Sequence, residues 1–324
     1  MFKIKFNITL LAVVLIFKTV IASEYPTRPI TSLGPFGAGG GADTVLRAMA
    51  GVIEDHLGQP FVHVNKPGGA STVAAATVAS GKPDGYTIVS LVSPGAIPEI
   101  YKHFRDVPYT SKDLRPVLRI TTFPYCLYVN SSSGIATVDG LIKQAKAKGG
   151  SMSYAHAGRG HVYHLLMEAV LGKAGAKMRD VPTKGAGPAL KNLVGEHIDA
   201  AIGSCSAGKK FVDSGDLTAI AVQHHSRLSW APFDRVATFA EQGHDMKLSP
   251  WYLSVFVQAK TPHYIVQRLH DGIKGALDDP RFREIIAKRR IEVDYTGPVG
   301  VLADIEGDKN VLAGLLKKMG FWKD

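Results

Sequence analysis

The chain has 324 residues, of which 45% are hydrophobic and 20% are charged, and its formal net charge is +10 at pH 7. This balance is typical of a folded globular protein and excludes a disordered or fibrous chain. The positive charge does not predict nucleic-acid binding, because the cations are scattered and the runs Lys209-Lys210 and Lys288 to Arg290 are short. The length exceeds what one core normally holds, so two lobes are expected.

The first residues have the pattern of an export signal. Lys3 and Lys5 precede an apolar stretch from Leu10 to Phe17 that is too short for a comfortable membrane span. Lys18 interrupts the stretch, which leaves an uncleaved anchor as the alternative. We interpret residues 1–22 as a signal peptide and expect the protein in the periplasm.

The most informative motif is Thr31 to Asp43, which reads T-S-L-G-P-F-G-A-G-G-G-A-D. It predicts a strand, a glycine loop and then a helix from Thr44 to Leu57. Glycines allow backbone N–H groups to approach a ligand, and a helix N-terminus adds partial positive charge. The motif therefore predicts a site for a small anion, in which Asp43 is either a ligand contact or a partner of the helix dipole.

Strand and helix patterns then alternate. Phe61 to Val64 predicts a strand, Ser71 to Ser80 a helix, and Tyr86 to Val92 a buried strand that leads to Ser93. Ligands of open parallel sheets bind beyond the carboxyl ends of the strands. Ser93 is therefore expected beside the first glycine loop, where its hydroxyl serves either the turn or a ligand.

A second set of elements repeats this logic. Tyr125 to Asn130 predicts a strand, and Ser153 to His161 predicts a strand with a second glycine loop before the helix Val162 to Leu171. Two more element ends are expected nearby, at the start of the helix Ala189 to Val194 and at the exit of the strand Ile198 to Ile202. The second lobe is therefore expected to have an anion site of its own.

The C-terminal part predicts the strands Leu217 to Val222 and Trp251 to Val257, followed by a helix from Thr261 to about Leu277 and another near Arg281 to Arg289. We expect the last elements to return to the first lobe. The expected boundaries are 24–124 plus 225–324 for lobe one and 125–224 for lobe two.

A series of short motifs spans most of the chain beyond the signal. They include Tyr25-Pro26-x-Arg28-Pro29-Ile30, Gly39-Gly40-Gly41-x-Asp43, Asn65-Lys66-Pro67-Gly68, Pro83-Asp84-Gly85-Tyr86-Thr87, Gly187-Pro188-Ala189-Leu190 and Trp251-Tyr252. In this order and spacing they resemble the Bug family, the periplasmic substrate-binding proteins of tripartite tricarboxylate transporters. The resemblance implies an α/β, two-lobe, type II-like periplasmic-binding-protein (Venus-flytrap) fold, with a mainly parallel sheet flanked by helices in each lobe. It also implies a monomeric receptor, without cofactor or catalytic activity, that delivers a small carboxylate to membrane permease subunits.

The resemblance places the ligand carboxylate on backbone amides of Phe36 to Gly41 and of Ala157 to His161. The family usually has Ala-Pro where this chain has Gly37-Ala38, and neutral residues where it has Arg159 and His161. Arg159 is expected either to clamp a second carboxylate or to form a surface ion pair, and His161 either to donate to the ligand in its neutral form or to cap its helix. A dicarboxylate or aromatic acid is therefore predicted. The candidate ligand-binding residues are Phe36, Gly37, Ala38, Gly39, Gly40, Gly41, Asp43, Ser93, Ala157, Gly158, Arg159, Gly160, His161, Gly185, Ala186 and Ser204.

Three other functions compete with this one. An exported metal receptor is suggested by His156, His161 and His164, although at most two of them share a helix face. A dinucleotide enzyme is disfavoured because Asn65 replaces the acidic residue that binds ribose, and a hydrolase because the turn around Ser204 lacks the final glycine of a nucleophile elbow.

The two cysteines, Cys126 and Cys205, are able to pair in an oxidising compartment. The sequence does not show whether their Cα atoms come close enough.

Overall fold

A computed structural model describes residues 25–183, 185–245, 251–318 and 320–322 of the chain. The predicted signal peptide, residues 1–22, lies outside the described residues. Within the described residues the strands form two mixed sheets, so the expectation of a mainly parallel sheet in each lobe is wrong. Among the described strands, two pairs are parallel in each sheet, against three antiparallel pairs in the larger sheet and two in the smaller one.

Six strands form the larger sheet. They are β1 (Ile30–Gly34), β2 (Phe61–Asn65), β3 (Thr87–Val92), β4 (Leu114–Phe123), β10 (Trp251–Gln258) and β11 (Val293–Thr296). Their order is β11-β4-β10-β3-β1-β2. β1 is parallel to β2 and β3, whereas β10 is antiparallel to both β3 and β4, and β11 is antiparallel to β4.

Five strands form the smaller sheet. They are β5 (Tyr125–Asn130), β6 (Ser153–His156), β7 (Arg179–Pro182), β8 (Ala200–Ser204) and β9 (Leu217–Gln223). Their order is β7-β6-β8-β5-β9, with β6 parallel to β7 and β8, and β5 antiparallel to β8 and β9.

The antiparallel strands follow from the way in which the chain crosses between the sheets. β4 ends at Phe123 and β5 begins at Tyr125, so one residue separates the two sheets. Tyr125 pairs with Ser204 at the end of β8, and β5 must therefore run back against β8. The carboxyl ends of the parallel strands β6 and β8 consequently lie at the edge where the chain crosses.

The helices connect these strands. They are α1 (Gly41–Ala50), α2 (Ile53–Leu57), α3 (Thr72–Ala79), α4 (Pro98–Tyr101), α5 (Val138–Ala147), α6 (Val162–Ala174), α7 (Ala186–Val194), α8 (Cys205–Asp213), α9 (His263–Asp278), α10 (Pro280–Ala287) and α11 (Pro298–Lys318). Short 3₁₀ turns occur at Gly69–Ser71, Ser93–Ala96, Ser111–Asp113 and Ser131–Ser133. Within the described residues, none of the helices combines the length and the apolar character that crossing a bilayer requires.

One buried apolar cluster is continuous between the two sheets. It contains Leu91 from β3, Leu127 from β5 and Leu312 from α11. Helix α11 packs against β4, a strand of the larger sheet, and against α6, the helix that follows β6 of the smaller sheet. The long C-terminal helix therefore ties the two sheets together on one side of the crossing.

Two predicted elements differ from the structure. The predicted helix from Thr44 to Leu57 is broken, because Gly51 ends α1 and Val52 adopts non-helical angles before α2. Glycine has a low helix propensity, which favours a break at this position. The strand predicted over Ile198 to Ile202 instead runs from Ala200 to Ser204. Helix α8 begins directly at Cys205, so no exit loop follows the strand.

Cys126 of β5 and Cys205 of α8 form a disulfide, with their Cα atoms 5.3 Å apart. Both cysteines are fully buried within the smaller sheet's own apolar cluster. The question that the sequence left open is therefore answered in favour of pairing.

Candidate functional site

The first glycine loop joins β1 to α1, and residues 37–40 are exposed. Within the described residues, a Cβ atom at Gly37 would meet no other atom within 4 Å, and one at Gly40 would reach only the carbonyl of Gly37 at 4.0 Å. No side chain in the described part of the chain caps α1, and the first N–H groups of a helix have no partner inside it. The loop therefore leaves open space in front of a helix N-terminus, an arrangement suited to a small anion.

Asp43 shapes this loop from inside, because it is only 4% exposed. Its Oδ2 accepts the Gly39 amide at 2.8 Å and Nε of Arg47 at 3.0 Å. Its Oδ1 accepts Nδ2 of Asn65 at 2.9 Å and lies 3.1 Å from Nε2 of His63. Burial raises the pKa of Asp43, but these hydrogen bonds outweigh burial and hold the pKa well below its usual value. The carboxylate is ionised and engaged within the protein, which favours a positioning role over ligand contact.

Asn65 holds the other side of the loop. Its Nδ2 donates to the carbonyl of Phe36 at 2.8 Å, and its Oδ1 accepts Nη2 of Arg47 at 2.9 Å. The residue that replaces the ribose-binding acid of a dinucleotide enzyme is thus part of the support for the glycine loop.

The second glycine loop joins β6 to α6. His161 caps α6, since its Nδ1 accepts the Tyr163 amide at 3.3 Å, and its own amide donates to the carbonyl of Gly158 at 3.1 Å. Gly160 has a φ of +83°, and a Cβ atom there would lie 2.9 Å from the ring of Phe104. This position therefore requires glycine, both for its backbone angle and for the close approach of the segment after α4.

Two buried histidines accept hydrogen bonds from the backbone of this loop. The Gly158 amide donates to Nδ1 of His156 at 3.1 Å, and the Gly160 amide donates to Nδ1 of His164 at 3.3 Å. An amide can only donate, so both Nδ1 atoms are acceptors and the neutral rings carry their protons on Nε2. These two amides, which the sequence analysis assigned to the ligand, bind within the protein.

Arg159 is the exposed residue of the loop, and its side chain is 62% exposed. Nε donates to Oδ2 of Asp180 at 2.7 Å, and Nη2 donates to Oδ1 at 3.0 Å. The guanidinium holds the pKa of Asp180 at about 2 against the effect of partial burial. Of the two roles expected for Arg159, a clamp on a second ligand carboxylate and a surface ion pair, the structure shows the ion pair, with both N–H groups bound to Asp180.

Burial sets the charge of the histidines. It lowers the pKa of His161 to about 3 and that of His164 to about 4, and the neighbouring His156 adds to both effects. The pKa of His156 is lowered as well, again mainly by burial. At neutral pH all three rings are therefore uncharged.

One group of residues in the described part of the chain has metal-ligand spacing, namely His156, His164 and Asp180. His161, which the metal alternative included, is not a member. The Nε2 atoms of the two histidines carry protons, which a metal would have to displace. Asp180 is already paired with Arg159, whose positive charge opposes a bound cation. The site therefore favours anions over metal ions.

The two glycine loops approach each other at Trp251, the first residue of β10. Its ring centroid lies 5.4 Å from that of Phe36 in the first loop and 5.6 Å from that of His161 in the second. The rings of Phe123 and Tyr163 lie 5.3 Å and 6.1 Å away. Nε1 of Trp251 is buried and has no hydrogen-bond partner among the described residues. Aromatic rings therefore line the region between the two loops, and one of them, Trp251, has an N–H group without an acceptor among the described residues.

The remaining predicted residues lie at other element ends. Gly185 precedes α7 with a φ of +123°, and its carbonyl accepts the Thr183 hydroxyl at 2.7 Å. Ala186 is packed so closely that a Cβ atom at Gly203 would lie 3.2 Å from its side chain. Ala186 therefore packs against the end of β8, whereas this hydrogen bond of Gly185 is with the segment after β7.

Ser204 caps α8, because its hydroxyl accepts the Ala207 amide at 3.3 Å. Within the described residues, no histidine is hydrogen-bonded to this hydroxyl, so the base that a hydrolase would need is not placed there. Ser93 begins the 3₁₀ turn after β3, and its side chain lies outside the described part of the structure.

Comparison with known proteins decides the family. The sequence model described as "Tripartite tricarboxylate transporter family receptor" (TctC) matches residues 45–311. The chain belongs to this family. BugT of Bordetella pertussis is 33% identical over 303 residues, which cover 93% of this chain and 92% of BugT.

Solved structures agree with the TctC assignment. The structure of the periplasmic binding protein BugD is 27% identical, with a TM-score of 0.77 over 93% of this chain and 100% of BugD. The structure of R. palustris Rpa4515 with adipate is also 27% identical, with a TM-score of 0.78 over 92% of this chain and 99% of that one. The two-lobe α/β solute-receptor fold and the resemblance to the Bug family are thereby confirmed.

Two residues beside the glycine loops of this TctC-family chain were not identified as site residues from the sequence. Trp251 was recognised only as part of a family motif, and Arg105 was not considered at all. Nη2 of Arg105 donates to the carbonyl of Arg159 at 3.1 Å, which links the segment after α4 to the second loop. No local pattern in the sequence could have indicated this long-range contact.

Proposed function

We propose that this protein is a periplasmic receptor that captures a small carboxylate, a dicarboxylate or an aromatic acid, and delivers it to the membrane subunits of a tripartite tricarboxylate-type transporter. The main support is the open space at Gly37 and Gly40 before the uncapped N-terminus of α1. Amide dipoles stabilise a carboxylate there without a protein counter-charge.

We further propose that the ligand lies between lobe one, residues 24–124 plus 225–324, and lobe two, residues 125–224. The first glycine loop belongs to lobe one and the second to lobe two, and Trp251 contacts both. Closure of the lobes would exclude water and strengthen the hydrogen bonds to the ligand. A closed, monomeric receptor would then present a shape that the permease recognises.

One feature supports the class of ligand, and another supports the periplasmic location of the protein. The related structure of Rpa4515 is described with adipate, which is a linear dicarboxylic acid. The N-terminal segment around Lys3 and Lys5 has the pattern of an export signal. Aromatic acids stay in the proposal because Trp251 and Phe36 offer ring surfaces beside the open loop.

A thermal-shift screen with the mature chain tests the proposal. Mono-, di- and tricarboxylates, aromatic acids and zinc chloride are added to purified protein from which bound ligand has been removed. A ligand at about 1,000 times its dissociation constant stabilises the folded state by about 4 kcal/mol, which raises the unfolding temperature by several degrees. A rise with zinc alone, or with none of the acids, would contradict the proposal.

A matched pair of variants locates the site. Gly37→Val adds a side chain to the open space of the first loop, and Gly314→Val makes the same change where α11 also leaves open space. We expect Gly37→Val to weaken carboxylate binding at least about tenfold, and Gly314→Val to leave affinity unchanged. Equal affinity of the two variants would show that the ligand binds elsewhere.

A further inference from the structure

Arg105 lies in the connection between α4 and β4, on the larger-sheet side of the site. Its guanidinium carbon lies 5.3 Å from the ring centroid of Tyr101, and Nη2 donates to the carbonyl of Arg159 in the second loop at 3.1 Å. The neighbouring Phe104 packs against Gly160 of the same loop. A cation from one side of the site is thus held against the glycine loop of the other side.

The guanidinium of Arg105 lacks an acidic partner in the part of the chain that the structure describes. Among the described residues, no carboxylate lies within ion-pair distance of Arg105, whereas Arg159 is paired with Asp180. Nε of Arg105 is buried and has no hydrogen-bond acceptor among the described residues. A partly buried guanidinium without a counter-charge is costly, and a buried unpaired donor adds to this cost. An anion beside Arg105 would remove both penalties.

A second buried donor near this loop also lacks a hydrogen-bond acceptor. Nε1 of Trp251 is likewise buried and has no partner among the residues that the structure describes, and the Trp251 ring packs against His161. Arg105 is close enough to His161 to contribute to the lowering of its pKa. Buried polar groups without partners are uncommon in native proteins, and an anion beside Arg105 would supply an acceptor for its Nε.

We propose that Arg105 binds the second carboxylate of a linear dicarboxylate whose first carboxylate lies at the N-terminus of α1. This inference rests on the proposed function and selects the dicarboxylate over the aromatic acid. Arg105 replaces Arg159 as the cation that recognises the ligand, because the Arg159 fork is occupied by Asp180. A guanidinium suits this task, since its parallel N–H groups match the two oxygens of a carboxylate.

Calorimetry with matched ligands tests the proposal. Each linear dicarboxylate from four to eight carbons is compared with the monocarboxylate of the same length, for example adipate with hexanoate. The proteins are the wild type, Arg105→Gln, Arg105→Lys and the control Lys102→Gln, which removes an exposed positive charge three residues before Arg105. Unfolding temperatures without ligand establish that each variant is folded.

We expect the wild type to bind one dicarboxylate about tenfold to a hundredfold more tightly than its monocarboxylate. Arg105→Gln should lose most of this preference while its affinity for the monocarboxylate stays similar. Arg105→Lys should keep part of the preference, because it retains the charge but not the fork. Lys102→Gln should keep the wild-type ratio.

Failure of this inference can be told apart from failure of the proposed function. If the wild type prefers a dicarboxylate and Arg105→Gln keeps the same ratio, Arg105 does not read the second carboxylate. If the wild type prefers monocarboxylates or aromatic acids, the receptor function stands and the dicarboxylate inference is wrong. If the wild type binds none of the acids, both proposals fall.

Discussion

The amide of Gly39 donates to the carboxylate of Asp43, four residues further along the chain, at 2.8 Å. Gly39 has a φ of +86°, so this bond closes a turn that other residues rarely adopt. The only acidic side chain in the first turn of α1 is thereby directed into the support of the loop, and the outer face of the loop stays open.

Replacement of Asp43 by asparagine tests this support. The substituted side chain would present an NH₂ group to donors that the carboxylate now accepts, so we expect Asp43→Asn to lower the free energy of unfolding by about 2–4 kcal/mol and to weaken ligand binding. Urea unfolding and calorimetry measure the two effects. The control Arg47→Gln removes an exposed partner of the same carboxylate and should cost less than about 1 kcal/mol. Wild-type stability of Asp43→Asn would contradict the positioning role.

Periodicity and turn chemistry were sufficient to predict most of the strands and helices. The glycine loops after β1 and β6 could be placed because each follows a buried strand and precedes a helix, and these are local signals. The break at Gly51 was not predicted, because the helical pattern continues on both sides of it. Helix α8 was not predicted, because no loop separates it from β8: Ser204 is both the last residue of the strand and the N-cap of the helix.

The site was harder to predict than the fold. The sequence placed Arg159 and His161 in the second loop, but it could not show that Asp180 occupies Arg159 or that burial keeps His161 neutral. Arg105 was missed because its role depends on a contact across 54 positions of the chain. Such partners arise from tertiary packing, which no local pattern encodes.

The disulfide provides a second prediction. Cys126 and Cys205 enclose a sequence separation of 79 residues, so the bond restricts a long segment of the unfolded chain. We expect the double variant Cys126→Ala/Cys205→Ala to lose about 2–5 kcal/mol of unfolding free energy. Urea unfolding with and without dithiothreitol measures this loss. Dithiothreitol should lower the midpoint of the wild type and leave that of the double variant unchanged, and a wild type indifferent to reduction would contradict the prediction.

The third prediction concerns pH. His161 and His164 have pKa values of about 3 and about 4 in the folded protein, against about 6.5 when unfolded. As the pH falls below 6.5, the unfolded state binds protons that the folded state does not bind. The stabilisation from the neutral rings is therefore complete above about pH 6.5 and is lost towards pH 4, by up to about 1.4 kcal/mol per pH unit for each histidine.

Urea unfolding at pH 7, 6 and 5 measures the slope of the free energy of unfolding against pH. The window avoids the carboxyl groups of Asp43 and Asp180, whose lowered pKa values make them lose stabilisation only near and below the ordinary carboxyl range. His161→Asn keeps a helix cap, and His164→Gln keeps an acceptor for the Gly160 amide. Each variant should reduce the slope and the double variant should reduce it further, because the buried rings that resist protonation are gone. A double variant with the wild-type slope would assign the pH dependence to other groups and would contradict the neutral state of these two rings.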